Sequence, residues 1–144
     1  MTPRPRDRFG RPLPRDADVP VQADPVALSP EDTLREAAEL IRQGRAFRAH
    51  EVFEALWKAT EGEERELWRA LAQLAVGITH AQRGNAAGSS ALLRRGADNL
   101  TRWEGQQPYR VPVTALRTWA LDSARQPLPA ERLMAAMPPL VARD

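Results

Sequence analysis

The chain has no cysteine, one lysine, two histidines and no long hydrophobic run. Without cysteine, disulfides and thiolate metal sites are excluded, and a reducing, intracellular environment is the simpler expectation. No segment reaches the roughly 20 apolar residues that span a bilayer, and no N-terminal apolar run has the pattern of a signal peptide. We therefore expect a cytoplasmic protein without a membrane partner.

What remains is the composition of a globular protein. The 144 residues are 42% hydrophobic and 28% charged, which suits one domain with a substantial core. The formal net charge is +2, and almost every cation is arginine. Because acids and bases are interspersed along the body of the chain, we do not expect nucleic acid as the principal partner.

The first 28 residues differ from the rest, with six prolines and five arginines among them. Proline interrupts helices and the segment has little to bury, so it is predicted to be an extended or disordered arm. Phe9, Leu13, Val19 and Val21 offer an alternative, in which the arm is held against the domain as a strap. We expect an arm at 1–28, a helical domain at 29–137 and a tail at 138–144.

The body of the chain has the pattern of consecutive helices. Ser29 followed by Pro30, Glu31 and Asp32 is a strong helix start. Glycine or proline then separates apolar segments of helical period, and no window alternates as a strand would. The predicted helices cover about 30–43, 46–60, 63–83, 86–103, 112–125 and 129–137. The fold class is all-α, a compact bundle of about five or six antiparallel helices.

The second predicted helix carries the most informative residues. His50, Glu54 and Trp57 follow at steps of four and three, so they share one helical face, and Glu51 lies beside them. Burying an imidazole and a carboxylate costs free energy unless each finds a partner. This face therefore predicts either a satisfied polar network or a polar ligand site.

The third predicted helix is apolar nearly all round, except for Arg69, Gln73, Gly77 and His80. These residues form one narrow row. A short hairpin places Glu54 near Arg69 and His50 near Gln73. We expect the two polar rows to face each other and form a buried polar pocket.

Three interpretations of these rows stay open. In a structural network, Glu54 pairs with Arg69, Gln73 bridges to His50, and Trp57 covers them. In a small-molecule pocket, Arg69 is free to bind an anionic group. In a metal-assisted hydrolase, His50, Glu54 and His80 hold the ion, with Glu51 or Glu54 as the base. There is no phosphate loop and no dinucleotide fingerprint, so no cofactor is expected.

The run from Phe47 to Asn85 resembles the domain of unknown function 309 family. The helix His-Glu-x-x-Glu-x-x-Trp is matched at His50, Glu51, Glu54 and Trp57, and the turn Gly-Glu-Glu-Arg at 62–65. The apolar helix that ends in His80 and Arg-Gly-Asn at 83–85 matches as well, and residues 8–14 resemble an arm of some longer members. The family usually has Gln-Gly where this chain has Arg69 and Ala70. The resemblance implies a compact all-α bundle of bacterial or archaeal type and no assigned activity.

We therefore expect a non-enzymatic binding or interaction module with a buried polar pocket between the second and third helices. Its predicted binding residues are His50, Glu51, Glu54, Trp57, Arg69, Gln73 and His80. The partner is a small molecule or a protein, and a homo-oligomer is left open. The alternatives are a metal-assisted hydrolase that uses the HExxE helix and a nucleic-acid-binding accessory protein that uses the basic arm.

Overall fold

A computed structural model describes residues 5–17 and 23–143 of the chain. These residues form six α-helices: α1 Pro30–Arg42, α2 Ala46–Ala59, α3 Glu64–Gln82, α4 Ala86–Asn99, α5 Val113–Arg125 and α6 Ala130–Ala136. Two 3₁₀ turns, Thr101–Trp103 and Pro108–Arg110, lie between α4 and α5. Within the described residues the only β-type pairing is an isolated bridge between Arg6 and Pro12. The all-α bundle is confirmed.

Several helix ends form where the side-chain chemistry predicts them. The Ser29 hydroxyl accepts a hydrogen bond from the Asp32 backbone N–H at 3.1 Å, and Pro30 opens α1. Asn85 caps α4 by accepting from the Gly88 N–H at 2.9 Å. Gly44 follows the end of α1 with φ +77°, a conformation that glycine adopts without steric cost.

Helix α3 lies at the centre of the bundle. It packs most extensively against α2 and α4, while α1 packs on α2, α5 on α4, and α6 returns to α3. The core contains large side chains from each of the six helices, including Leu34, Phe53, Trp68, Leu93, Leu116 and Leu133. Among the described residues, no helix is long and apolar enough to cross a membrane.

Two glycines permit a close approach of α3 and α4. A Cβ on Gly77 would lie 2.8 Å from the Leu93 side chain of α4. A Cβ on Gly96 would lie 2.7 Å from the Leu74 side chain and 3.0 Å from the Ala70 carbonyl oxygen of α3. Gly77 lies in the middle of the row of polar residues on α3, and because it has no side chain, α4 can approach closely there.

The connection from α4 to α5 departs from the predicted helix. The sequence predicts a fourth helix as far as Trp103, but α4 ends at Asn99 and a 3₁₀ turn follows. Tyr109 and Arg110 then have φ of +53° and +65°, which costs non-glycine residues conformational free energy. Arg110 is held by the tail, since the Ala142 N–H donates to its carbonyl oxygen at 2.7 Å.

Part of the N-terminal arm packs on the helices. Residues 5–13 form a turn whose Gly10 lies against the ring of Phe47, where a Cβ would come within 2.2 Å of the ring. The Arg83 side chain of the α3–α4 connection donates to the Phe9 carbonyl oxygen at 3.0 Å. The contact thus includes a glycine and an arginine, and Val19 and Val21 lie outside the described residues.

We predict that Gly96→Ala destabilises the protein by about 1–3 kcal/mol, although alanine favours helices over glycine by about 1 kcal/mol. The added methyl group meets a backbone oxygen, which cannot move alone. Gly77→Ala is the matched comparison and costs less, because the backbone atom that its Cβ would meet, the Leu93 nitrogen, is 3.3 Å away rather than 3.0 Å. Chemical denaturation measures both, and a Gly96→Ala protein as stable as the wild type would contradict the close approach.

Candidate functional site

The predicted polar face of α2 is a partly exposed surface stripe. His50 Nε2 lies 3.3 Å from Glu54 Oε2, and the Lys58 ammonium donates to Glu54 Oε1 at 3.0 Å. The exposed fraction is 20% for the His50 side chain and 34% for that of Glu54. Glu54 therefore takes both its ion-pair partners from its own helix, at spacings of four residues.

The two ring nitrogens of His50 lie in different environments. Nε2 is turned toward Glu54, and Nδ1 is buried without a hydrogen-bond partner. The ring packs against Phe47, with 5.3 Å between the ring centroids. The histidine is therefore held between an aromatic ring and a carboxylate.

Glu51 has a separate environment. Its carboxylate lies 3.3 Å from the Arg48 guanidinium, three residues earlier on α2, and both side chains are about three-quarters buried or more. This pair satisfies Glu51 locally, so the carboxylate that follows His50 in sequence is not among the contacts of the imidazole.

Trp57 is contacted by two arginines of α3. The guanidinium carbons of Arg65 and Arg69 lie 5.5 and 5.6 Å from the centre of the Trp57 rings. Arg65 also donates to the Trp57 carbonyl oxygen at 3.3 Å. Guanidinium groups stack favourably on an indole face, since its quadrupole attracts cations. We call these three residues the Trp57 surface.

The predicted pairings between α2 and α3 are wrong. Arg69 pairs with Glu66 of its own helix at 3.7 Å and stacks on Trp57 instead of bonding Glu54. Gln73 accepts a 2.7 Å hydrogen bond from Asn99 of α4 instead of bridging to His50. The row on α3 therefore faces two ways, with Arg69 toward α2 and Gln73 toward α4, because α4 packs closely on that side.

His80 also belongs to the contact with α4. Its Nδ1 lies 3.3 Å from Nδ2 of Asn85, whose Oδ1 accepts from the Gly88 N–H. Asn85 thus donates to His80, which makes Nδ1 the acceptor. Burial, and then the charge of Arg83, lower the pKa of His80 below its ordinary value of 6.5. The histidine is a neutral part of the α4 cap at pH 7.

These positions bear on the metal alternative. In the part of the chain that the structure describes, no three His, Asp or Glu side chains lie close enough together to hold a metal ion. His80 is engaged with Asn85 while His50 is engaged with Glu54. The ligand set His50, Glu54 and His80 is therefore not assembled.

Sequence reasoning missed three residues that complete these contacts: Phe47, Arg65 and Asn99. Phe47 precedes His50 by three residues on the same helical face, which is a signal within the sequence. Arg65 lies four residues before Arg69, so its place on that face was also predictable. The contact of Asn99 depends on how α4 is turned against α3, which no local pattern indicates.

A crevice lies on a different side of the bundle. It is an open space of about 370 Å³ between α4 and α5, lined by Arg94, Thr118, Leu121, Asp122 and Arg125. None of the predicted binding residues lines it.

The sequence from Leu34 to Leu92 matches the family model of the domain of unknown function (DUF309). This stretch contains the last nine residues of α1, all of α2 and α3, and the first half of α4. This match over residues 34–92 supports assigning the chain to the DUF309 family. No curated protein and no solved structure matches it. The match in this DUF309 protein begins after the arm, and the description of the family names no activity.

We predict that Glu54→Ala lowers the free energy of unfolding by less than about 1 kcal/mol. The reason is that the ion pairs of Glu54 with Lys58 and His50 are partly solvated. Arg69 has a side chain 47% exposed and does not depend on Glu54. Urea denaturation measures the change. A loss of about 3–5 kcal/mol, which a broken buried ion pair would give, would contradict this arrangement.

The lowered pKa of His80 predicts a pH dependence. Below pH 6.5 the unfolded chain binds a proton at this position that the folded protein disfavours, so stability falls with acidification. The contribution is complete above that pH and is lost as pH falls through the folded pKa. We expect His80→Gln to flatten the stability curve below pH 6.5. Parallel curves for the variant and the wild type, measured by urea denaturation, would refute the assignment.

Proposed function

We propose that this DUF309 protein is a non-enzymatic interaction module that binds an acidic segment of a partner protein at the Trp57 surface. The observation that carries the proposal is the pair of arginine side chains stacked on one partly buried tryptophan. Tryptophan and arginine are among the residues most enriched in the anchors of protein interfaces.

The charges of the Trp57 surface favour an acidic partner. Arg65 is exposed and has a backbone carbonyl as its hydrogen-bond acceptor, while Arg69 is exposed and its ion pair with Glu66 is long, at 3.7 Å. Both guanidiniums are already oriented by the indole, so a carboxylate gains a bidentate contact with little loss of side-chain freedom. The apolar indole supplies the area for an adjacent apolar residue of the partner.

The other predicted site residues have supporting parts in this proposal. His50 and Glu54 continue the stripe of α2 beside Trp57 and form its polar edge. Gln73 and His80 act through α4, since they bond Asn99 and Asn85 and so hold α3 in place. Glu51 stabilises the same stretch of α2 through its ion pair with Arg48.

The geometry supports binding over catalysis. A general base must reach the proton it removes, and His50 has one nitrogen buried and the other at Glu54. Glu51, which directly follows His50 in the HExxE sequence, forms an ion pair with Arg48. These contacts weigh against the metal-assisted hydrolase.

The remaining expectations belong to the same proposal. The domain extends over 29–137 between an arm and a short tail, and the absence of cysteine supports a cytoplasmic location. A small molecule with a carboxylate fits the two arginines, but the exposure of both guanidiniums favours a larger partner, since small-molecule sites are usually enclosed.

A displayed peptide library tests the proposal while the partner is unidentified. Peptides are selected on the wild-type protein, and the enriched sequences are measured against Arg65→Glu and Arg69→Glu. Both positions are exposed, so the variants are expected to fold. We expect enrichment of Asp and Glu next to an aromatic or aliphatic residue, and roughly tenfold weaker binding, or more, by each variant.

Arg35→Glu on α1 is the matched control, because Arg35 is an exposed arginine in an ion pair on another helix. It should bind the selected peptides as the wild type does. Peptides that bind Arg65→Glu and Arg69→Glu with unchanged affinity, or a library that yields no acidic consensus, would refute the Trp57 surface as the site.

A further inference from the structure

Two arginines contact Phe47, at the opposite end of α2 from Trp57, and a third arginine of the N-terminal turn contacts the end of α1. Arg6 and Arg83 have their guanidinium carbons 5.2 and 5.7 Å from the centre of the same Phe47 ring. Arg8 donates to the Gln43 carbonyl oxygen at 3.1 Å, at the end of α1. We call Arg6, Arg8 and Arg83 the arm cluster.

Each guanidinium of the arm cluster is held by one backbone carbonyl. Arg6 donates to Gly10 at 2.6 Å, Arg83 donates to Phe9 at 3.0 Å, and Arg8 bonds Gln43 as described. A guanidinium has five N–H donors, so most donors of the three groups are left over. Among the described residues, none of the three forms an ion pair with a carboxylate.

The single carboxylate within the turn is occupied elsewhere. Asp7 pairs with Arg11 at 2.8 Å and accepts from the backbone N–H groups of Phe9 and Arg11. Partial burial alone raises the pKa of Asp7, but the hydrogen bonds from Arg11 and Phe9 outweigh it and lower that pKa. Asp7 therefore shapes the turn and leaves the charge of the arm cluster uncompensated.

The charge of Arg83 also affects His80 at the end of α3. After burial, the charge of Arg83 is the second cause of the lowered pKa of His80. Arg6 and Arg83 are like charges held at one aromatic ring and at two successive carbonyl oxygens, Gly10 and Phe9, so they repel each other, and a bound anion reduces that repulsion. The arginines are fixed in advance by their carbonyl contacts, so an anion orders few additional groups.

We propose that the arm cluster is a binding site for a phosphate group, either free or carried by a larger molecule. Several guanidiniums grouped at one surface suit a tetrahedral oxyanion with two negative charges, because each presents donors in a planar fork. The glycine at position 10 is part of the site, since only glycine lets the turn reach Phe47.

Thermal unfolding with inorganic phosphate tests the site. Sodium chloride of equal ionic strength is the reference, and the readout is the difference in melting temperature between the two buffers. We expect phosphate at roughly ten times its Kd to raise the melting temperature of the wild type by about 3–6 °C.

Two variants test the site, one by removing a charge together with its bond to Phe9 and the other by changing the turn alone. Arg83→Gln removes one guanidinium, and Gly10→Ala keeps every charge but prevents the turn from docking on Phe47, since φ is +78° there. We expect each to lose at least half of the phosphate-induced rise, whatever its own melting temperature. Arg125→Gln is the control, because Arg125 is an exposed arginine of α5 paired with Asp122. It should keep the full rise.

The proposal is overturned if phosphate gives no more stabilisation than sodium chloride, or if Arg83→Gln and Gly10→Ala both keep the full rise. Fluorescence anisotropy with a labelled single-stranded oligonucleotide then identifies the source of the phosphate. Binding that Arg83→Gln weakens roughly tenfold indicates a nucleic-acid backbone. A phosphate-induced rise without oligonucleotide binding indicates free phosphate or a phosphate monoester, and either result supports the site.

Discussion

The close approach of α3 and α4 at Gly77 and Gly96 determines which side chains of the bundle reach the surface. Because α4 contacts the flank of α3 that carries Gln73 and Gly77, these residues are used in packing. The flank that carries Arg65 and Arg69 stays exposed beside Trp57 of α2. A methyl group at Gly96 would meet the Ala70 carbonyl oxygen, so α4 would have to move, and the division between packing residues and surface residues would change with it.

This division explains how one polar row on α3 serves two purposes. Its members are three or four residues apart, so they lie within about one quadrant of the helix. Helix α4 covers one edge of that quadrant. Gln73 and His80 therefore form hydrogen bonds with Asn99 and Asn85. Arg69 is left to stack on an indole. The stripe on α2 runs beside it, and it carries an aromatic ring with arginines at each end, Phe47 and Trp57.

The helices were predictable because their signals are local. Ser29, Pro30, Gly44 and Asn85 mark helix ends through the geometry of a single turn, and the structure has the ends there. The partners of Arg69 and Gln73 were not predictable. The short connection between α2 and α3 predicts which residues lie at the same height along the two helices. It does not predict the rotation of each helix about its own axis. That rotation follows from the fit of Leu93 and Leu74 against glycines. The strained turn at Tyr109 and the docking of Gly10 on Phe47 also depend on contacts between distant parts of the chain.

Double-mutant cycles on two residue pairs test this central division most directly. Urea denaturation of the single and double alanine variants gives the coupling free energy of each pair. The account predicts a coupling of about 1 kcal/mol between Gln73 and Asn99, as for a typical hydrogen bond, and a coupling near zero between Glu54 and Arg69. A coupling of several kcal/mol between Glu54 and Arg69, with none between Gln73 and Asn99, would show that the polar row of α3 faces α2 and would contradict the account.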